Sequence, residues 1–182
     1  MSTDGPPPNR GLNQEANDPK YARFELERRW LVDTPRRPSL EGHAMTLIED
    51  RYIDGTRLRL RRVSRPDLGE VKCKLTKKYD CPDPSARPIV TAYLTQAEHE
   101  VFRALPGHEL VKRRFHVPLD GRYSSVDVFD GPLQGLETIE CEAEDEATLT
   151  ALVPPDWALR EVTYLPQWQC GALAAAGAIP ES

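Results

Sequence analysis

From Phe24 to Trp30 the chain alternates, with Glu25, Glu27 and Arg29 on one side and Phe24, Leu26 and Trp30 on the other. A two-residue period is that of a β-strand. The same beat returns downstream. Arg57, Arg59 and Arg61 oppose Leu58 and Leu60, and Lys72 and Lys74 oppose Val71, Cys73 and Leu75. Lys112, Arg114 and His116 oppose Val111, Phe115 and Val117, and Asp127 opposes Val126 and Val128. Glu140 and Glu142 oppose Ile139, Cys141 and Ala143. Residues 45–53 read as a further strand, 89–94 as a β-rich and weakly alternating one, and Glu161-Val162-Thr163 as a short one.

Helices are fewer. Thr95-Gln96-Ala97-Glu98 is a capping box, predicting a helix with Ala97, Val101 and Leu105 as its buried stripe and Pro106-Gly107 as its end. Shorter helical stretches are expected at 145–153 and 167–176. Asp54-Gly55 and Asp120-Gly121 are tight-turn signals, 65–69 turns the chain, and 33–42 and 79–88 are loops. Strands joined mainly by short turns, with few helices, predict an α+β fold of mostly antiparallel strands.

The chain has 182 residues, which suits one domain with its own core. Residues 1–19, rich in Pro, Gly and Asn, are expected to form a disordered tail, and 20–182 the domain. No apolar run approaches a membrane span and no signal-peptide core opens the chain, so the expected location is the cytoplasm. The four cysteines (Cys73, Cys81, Cys141, Cys170) have neither zinc-type nor C-x-x-C spacing, and structural disulfides are not expected. A net charge of −5 argues against a general nucleic-acid binder. Local basic strands within an acidic chain point instead to a small polyanion.

Sorted by face, the polar side has basic strands and acidic strands rather than interspersed signs. That segregation suits a ligand that is itself bipolar, such as a polyphosphate carrying divalent cations. Arg forks and Lys ammonium groups bind phosphate oxygens. Carboxylates bind Mg²⁺ or Mn²⁺. Closing the sheet into a barrel, polar side inward, removes its edges and leaves the apolar side to be covered by helices. Arg61 and His116 are expected at strand ends near the mouth of such a barrel, and His43, His99 and His108 are given no role. No Ser or Cys has a His/Asp partner pattern, which argues against a covalent nucleophile.

Glu25-x-Glu27-x-Arg29 followed by an apolar pair resembles the opening signature of the CYTH family, the triphosphate tunnel metalloenzymes. Arg57-Leu58-Arg59 resembles the family's Arg-x-Arg strand, and Lys72-x-Lys74 its lysine strand. Lys112-x-Arg114-Phe115 resembles Lys-x-Arg-Tyr, Asp127 the Val-Asp strand, Glu140-x-Glu142 the late Glu-x-Glu pair, and Arg160-Glu161-Val162-Thr163 the closing Glu-Val-Thr. The resemblance implies a closed antiparallel barrel, or tunnel, with a polar interior, and metal-dependent hydrolysis of a triphosphate inside it. It implies catalytic roles for Glu25, Glu27 and Arg29 and phosphate binding by Arg57, Arg59, Lys72, Lys74, Lys112 and Arg114. It also implies metal binding, as Mg²⁺ or Mn²⁺, by Glu25, Glu27, Asp127, Glu140 and Glu142. The substrate class is inorganic tripolyphosphate, polyphosphate or an organic triphosphate. Two departures stand out. The family has Lys where this chain has Arg29, and its middle-strand Arg-x-Glu-x-Glu is reduced to the arginine in Arg87-Pro88-Ile89-Val90-Thr91. The alternatives are a cyclase acting on ATP, for which no base-recognition motif is visible, and a polyphosphate- or nucleotide-binding module with little turnover. Neither the organic group of the substrate nor an oligomeric state follows from the sequence.

Overall fold

The computed structural model describes residues 21–181 except 120, 121 and 123. The expected tail and the Asp120-Gly121 turn therefore lie outside the described residues. The strands are β1 (Arg23–Val32), β2 (Met45–Ile53), β3 (Leu58–Arg65), β4 (Glu70–Lys78) and β5 (Ala86–Leu94). They continue with β6 (Gly107–His116), β7 (Ser124–Phe129), β8 (Glu137–Glu142) and β9 (Ala158–Glu161). The helices are α1 (Gln96–Arg103), α2 (Glu146–Thr150) and α3 (Cys170–Ala176).

The strands run β5-β4-β3-β2-β6-β7-β8-β1, and β1 pairs back onto β5, closing an eight-stranded barrel. Every pairing is antiparallel. Closure uses the first half of β1, from Arg23↔Ile89 to Leu26↔Ala86. Its second half leaves β5 and takes β9 instead, at Trp30 and Val32. The barrel has no free edge along its closed part, which suits a sheet with charges on its inner side.

Two apolar clusters flank this polar interior. Outside it, Trp30, Val126, Ile139 and Cys141 project from β1, β7 and β8 and are covered by Leu149, Leu152 and Trp157 of α2 and the following loop. Asp145 caps α2 by accepting from the Thr148 amide at 2.7 Å. The second cluster closes one end of the barrel. Leu110 and Phe129 meet Trp168 and Leu173, with Tyr52 and Leu31 packed against them. The C-terminal segment is therefore a plug rather than an outer cover. Its close approach depends on Gly171, where a Cβ would sit 3.2 Å from the Tyr52 ring. α3 then stops at Gly177, whose φ of 58° is left-handed.

The capping box forms as its sequence predicts: the Glu98 amide donates to Thr95 Oγ1 and the Thr95 amide to Glu98 Oε2. The expected buried stripe does not. Ala97, Val101 and Leu105 are exposed, and the residue α1 buries against the sheet is His99. The helix lies on the sheet by its His99 side, and the Cys73 thiol on β4 donates to Gln96 Oε1, next to the cap, at 3.8 Å. All four cysteines are free thiols.

Candidate active site

The period-2 pattern aims one face of each strand into the barrel, and there the signs separate by strand. In an eight-membered ring, β8 and β1 lie four places from β3 and β2. Carboxylates on β8 and β1 thus face the β3 arginines across the lumen. A cavity of about 210 Å³ occupies this space. It is smaller than the roughly 300–1,000 Å³ typical of drug-sized ligand sites, which suits a compact polyanion better than a nucleotide base.

Glu25, Glu27 and Arg29 of β1, Glu140 and Glu142 of β8, and Lys112 and Arg114 of β6 all line the cavity. So do Arg57, Arg59 and Arg61 on the β3 side. Arg61, expected near a strand end, is inside and gives both its Nε and Nη2 to Asp50, at 2.6 and 2.7 Å. Lys72 and Lys74 share the inward parity of β4 but do not line the cavity: Lys72 is exposed and Lys74 half-buried. The lysine that reaches it from this strand is Lys78, which donates to Glu25 Oε2 at 3.1 Å. Arg87 of β5 lines it as well. His116 remains beside Thr46, 3.3 Å from the hydroxyl, at the other end of β6 from the plug.

Asp127 and Glu140 are committed to cations. Asp127 is fully buried and takes a two-pronged contact from Arg114, 2.7 Å to each oxygen, together with the Lys112 ammonium. Glu140 accepts from Arg29 Nε at 2.9 Å and from Arg114. Burial works against its charge, but Arg114, Lys112 and Arg29 hold its carboxyl well below the usual range. These two carboxylates act as a buried brace for the three cations.

Glu27 and Glu142 behave in the opposite way. They are register partners on β1 and β8. Burial and the neighbouring Glu140 charge raise the Glu27 carboxyl, although Arg29 Nη2 lies 3.1 Å from its Oε1. Burial and Glu27 raise Glu142. Glu25, by contrast, is lowered, its burial outweighed by Lys78, Arg59 and Arg61. Two paired carboxylates, both raised by burial and by neighbouring acids, mark a place where added positive charge is favourable. Hard oxygen donors of this kind suit Mg²⁺ or Mn²⁺. Among the described residues, no three His, Cys, Asp or Glu side chains converge as a ready-made metal site.

Among the described residues that line the cavity, one buried donor is left open. Arg59 is buried, its Nη2 lies 3.5 Å from the Thr76 hydroxyl, and its Nε has no hydrogen-bond partner. An unpaired buried guanidinium donor is costly unless a ligand completes it. On β5, Thr91 is tied to Thr76 at 3.0 Å, so this wall offers hydroxyls where the resemblance implies glutamates.

No protein-family model and no curated protein matches the chain. Solved structures do. The crystal structure of the inorganic triphosphatase NE1496 aligns with a TM-score of 0.56 at 27% identity, over 86% of this chain and 97% of that one. A second structure, described as the hypothetical protein NE1496, aligns with a TM-score of 0.56 at 28% identity, over 86% and 99%. The chain has the fold of these triphosphatase structures and is consistent with the CYTH, or triphosphate tunnel metalloenzyme, family. The PH1819 protein from Pyrococcus horikoshii OT3 shares the fold at 18% identity and a TM-score of 0.50, over 70% of this chain and 82% of its own.

Asp50, Tyr52 and Lys78 escape sequence reasoning. Asp50 and Tyr52 sit on β2, whose two faces both mix charged and apolar residues, so its alternation carries no sign. Lys78 shares its parity with Lys72 and Lys74, and a two-residue period reports the face of a strand rather than depth along it.

Proposed function

We propose that the chain hydrolyses a triphosphate, of the inorganic tripolyphosphate class, in its tunnel with the help of a divalent cation. The observation that carries this reading is the opposition of a cationic wall, including an unpaired buried Arg59 donor, to the Glu27–Glu142 pair. Arg59, Lys78 and Arg87 bind phosphate oxygens, and Arg57 meets the polyanion at the β2–β3 turn. Lys112 and Arg114, braced by Asp127 and Glu140, hold positive charge against the reacting phosphoryl group as negative charge builds on it.

Glu25, Glu27 and Glu142 are the residues that would hold Mg²⁺ or Mn²⁺. When bound, the ion supplies the charge neutralisation that lets carboxylates and polyphosphate share one cavity. Glu27, whose Oε1 is steadied by Arg29, accepts the proton of an attacking water in its ionised form. Phosphate then leaves through the end not covered by α3.

A second reading, a binding module without turnover, draws support from a β5 wall that carries no carboxylate and from Asp127 and Glu140 being spent on ion pairs. Phosphate release from tripolyphosphate, thiamine triphosphate and ATP, with Mg²⁺ and then Mn²⁺, separates the two. Release from tripolyphosphate that stops in EDTA supports the enzyme. Calorimetric binding without release under any metal overturns it in favour of the module.

A further inference from the structure

We propose that Asp50 is a positioning residue of the tunnel: it anchors Arg61, orients Arg59, and supplies from β2 the negative charge that β5 lacks. The role rests on the triphosphatase reading above. Asp50 does not itself line the cavity, whereas the two arginines it holds do.

The geometry is specific. The Asp50 side chain is wholly buried and both its oxygens are used by Arg61, at 2.6 and 2.7 Å. Oδ1 is also 3.9 Å from Arg59 Nε, close enough to attract that guanidinium and too far to satisfy it. Arg59 is bounded on its other side by the Thr76 hydroxyl, itself tied to Thr91. Arg59 is thus held between β2 and β4 with one donor unspent, which is how an anion-binding group is kept ready before its ligand arrives. The matching inward positions on β5, Ile89 and Thr91, carry no charge. Without Asp50, Arg59 and Arg61 would repel each other with no buried counter-charge between them. A buried ion pair is a weak source of stability compared with a well-packed apolar replacement. Its physical consequence here is where it puts two guanidiniums.

The role makes a signed prediction. Asp50→Asn keeps the shape and removes the charge, so the cavity gains net positive charge while its arginines lose their register. Tripolyphosphate is then expected to bind several-fold tighter by calorimetry. Its turnover with Mg²⁺ is expected to fall between about tenfold and a hundredfold, the scale of a misplacement near 1 Å. KM and kcat thus fall together. Asp50→Glu restores the charge but displaces it by one methylene, so affinity should return to within about twofold of the parent while kcat stays reduced. A residue that only supports the fold would lower the Tm of both variants and leave KM and kcat per folded molecule unchanged. That result overturns the proposal, as does weaker binding by Asp50→Asn. Should Asp50→Asn not fold, Asp50→Asn/Arg61→Gln removes both partners of the pair, and a parent-like kcat in it would overturn the proposal equally. If the parent cleaves no triphosphate, the triphosphatase reading fails on its own. The affinities then decide: tighter binding by Asp50→Asn that Asp50→Glu reverses supports the role, and equal affinities refute it.

Discussion

Acid should expose the contribution of Asp50 to stability in a way that can be worked out beforehand. In the folded chain its burial is outweighed by Arg61 and Arg59, which lower its pKa from 3.8 to about 2. A carboxyl depressed on folding adds stability above its unfolded value and loses it as the pH drops through its folded value. At about 1.4 kcal/mol per pKa unit, the contribution is about 2 kcal/mol at pH 6, and roughly half of it is gone at pH 3. Asp50→Asn has no such titration. The gap in unfolding free energy between parent and variant should therefore narrow by about 1 kcal/mol from pH 6 to pH 3. Urea unfolding at both pH values measures it, and the buried Trp30, Trp157 and Trp168 report through fluorescence. Other carboxyls, Glu140 included, titrate in both proteins and leave the difference largely unaffected. A gap that is equal at the two pH values, or wider at pH 3, would refute the assignment of a depressed, ion-paired Asp50.

Further outcomes follow from the same cavity. Glu27→Gln relieves the repulsion that raises Glu27 and Glu142, and should stabilise the metal-free protein by about 0.5–2 kcal/mol, or about 2–4 °C in Tm per kcal/mol at this length. The same variant should lose metal-dependent phosphate release, and a fall in its Tm in EDTA would contradict the repulsion. Lys78→Ala should weaken tripolyphosphate binding by about 1.5–3 kcal/mol, the range for a hydrogen bond to a charged group, whereas Lys72→Ala, at an exposed site, should shift it by less than about 0.5 kcal/mol. Calorimetry on the two variants decides which lysine of β4 serves the cavity. Arg114→Ala strips the brace from Asp127 and Glu140 and should cost about 3–5 kcal/mol of stability, the price of unpaired buried charge. An unchanged urea midpoint would mean that Lys112 and Arg29 satisfy the two carboxylates without it.

Much of this architecture was written in the alternation of the chain. A residue's parity in a strand decides its face, and on β1, β3, β6 and β8 a run of same-face charges (Glu25 to Arg29, Arg59 and Arg61, Lys112 and Arg114, Glu140 and Glu142) alternates with mainly apolar residues. Burying both faces, one in a charged lumen and one under α2, follows from that contrast. Glu25, Glu27, Arg29, Arg59, Lys112 and Arg114 could therefore be assigned inward from local sequence. Parity does not report depth, partner or cover. Lys72, Lys74 and Lys78 share one parity, and only closure of the barrel sets which of them meets Glu25. Asp127, Glu140 and Glu142 look alike as inward acids. The three-strand register of β6, β7 and β8 gives the first two their cations and leaves Glu142 facing Glu27. Asp50 was hidden because β2 carries ion pairs on its outer face as well, Glu49 with Arg62 and Arg51 with Glu109, which erases the contrast on which the pattern depends. The buried face of α1, through His99, and the C-terminal plug were decided later still, by which surfaces the finished barrel left to be covered. Faces come from covalent geometry two residues apart, whereas depth and pairing come from contacts between strands more than a hundred residues apart, which exist only once the ring has closed.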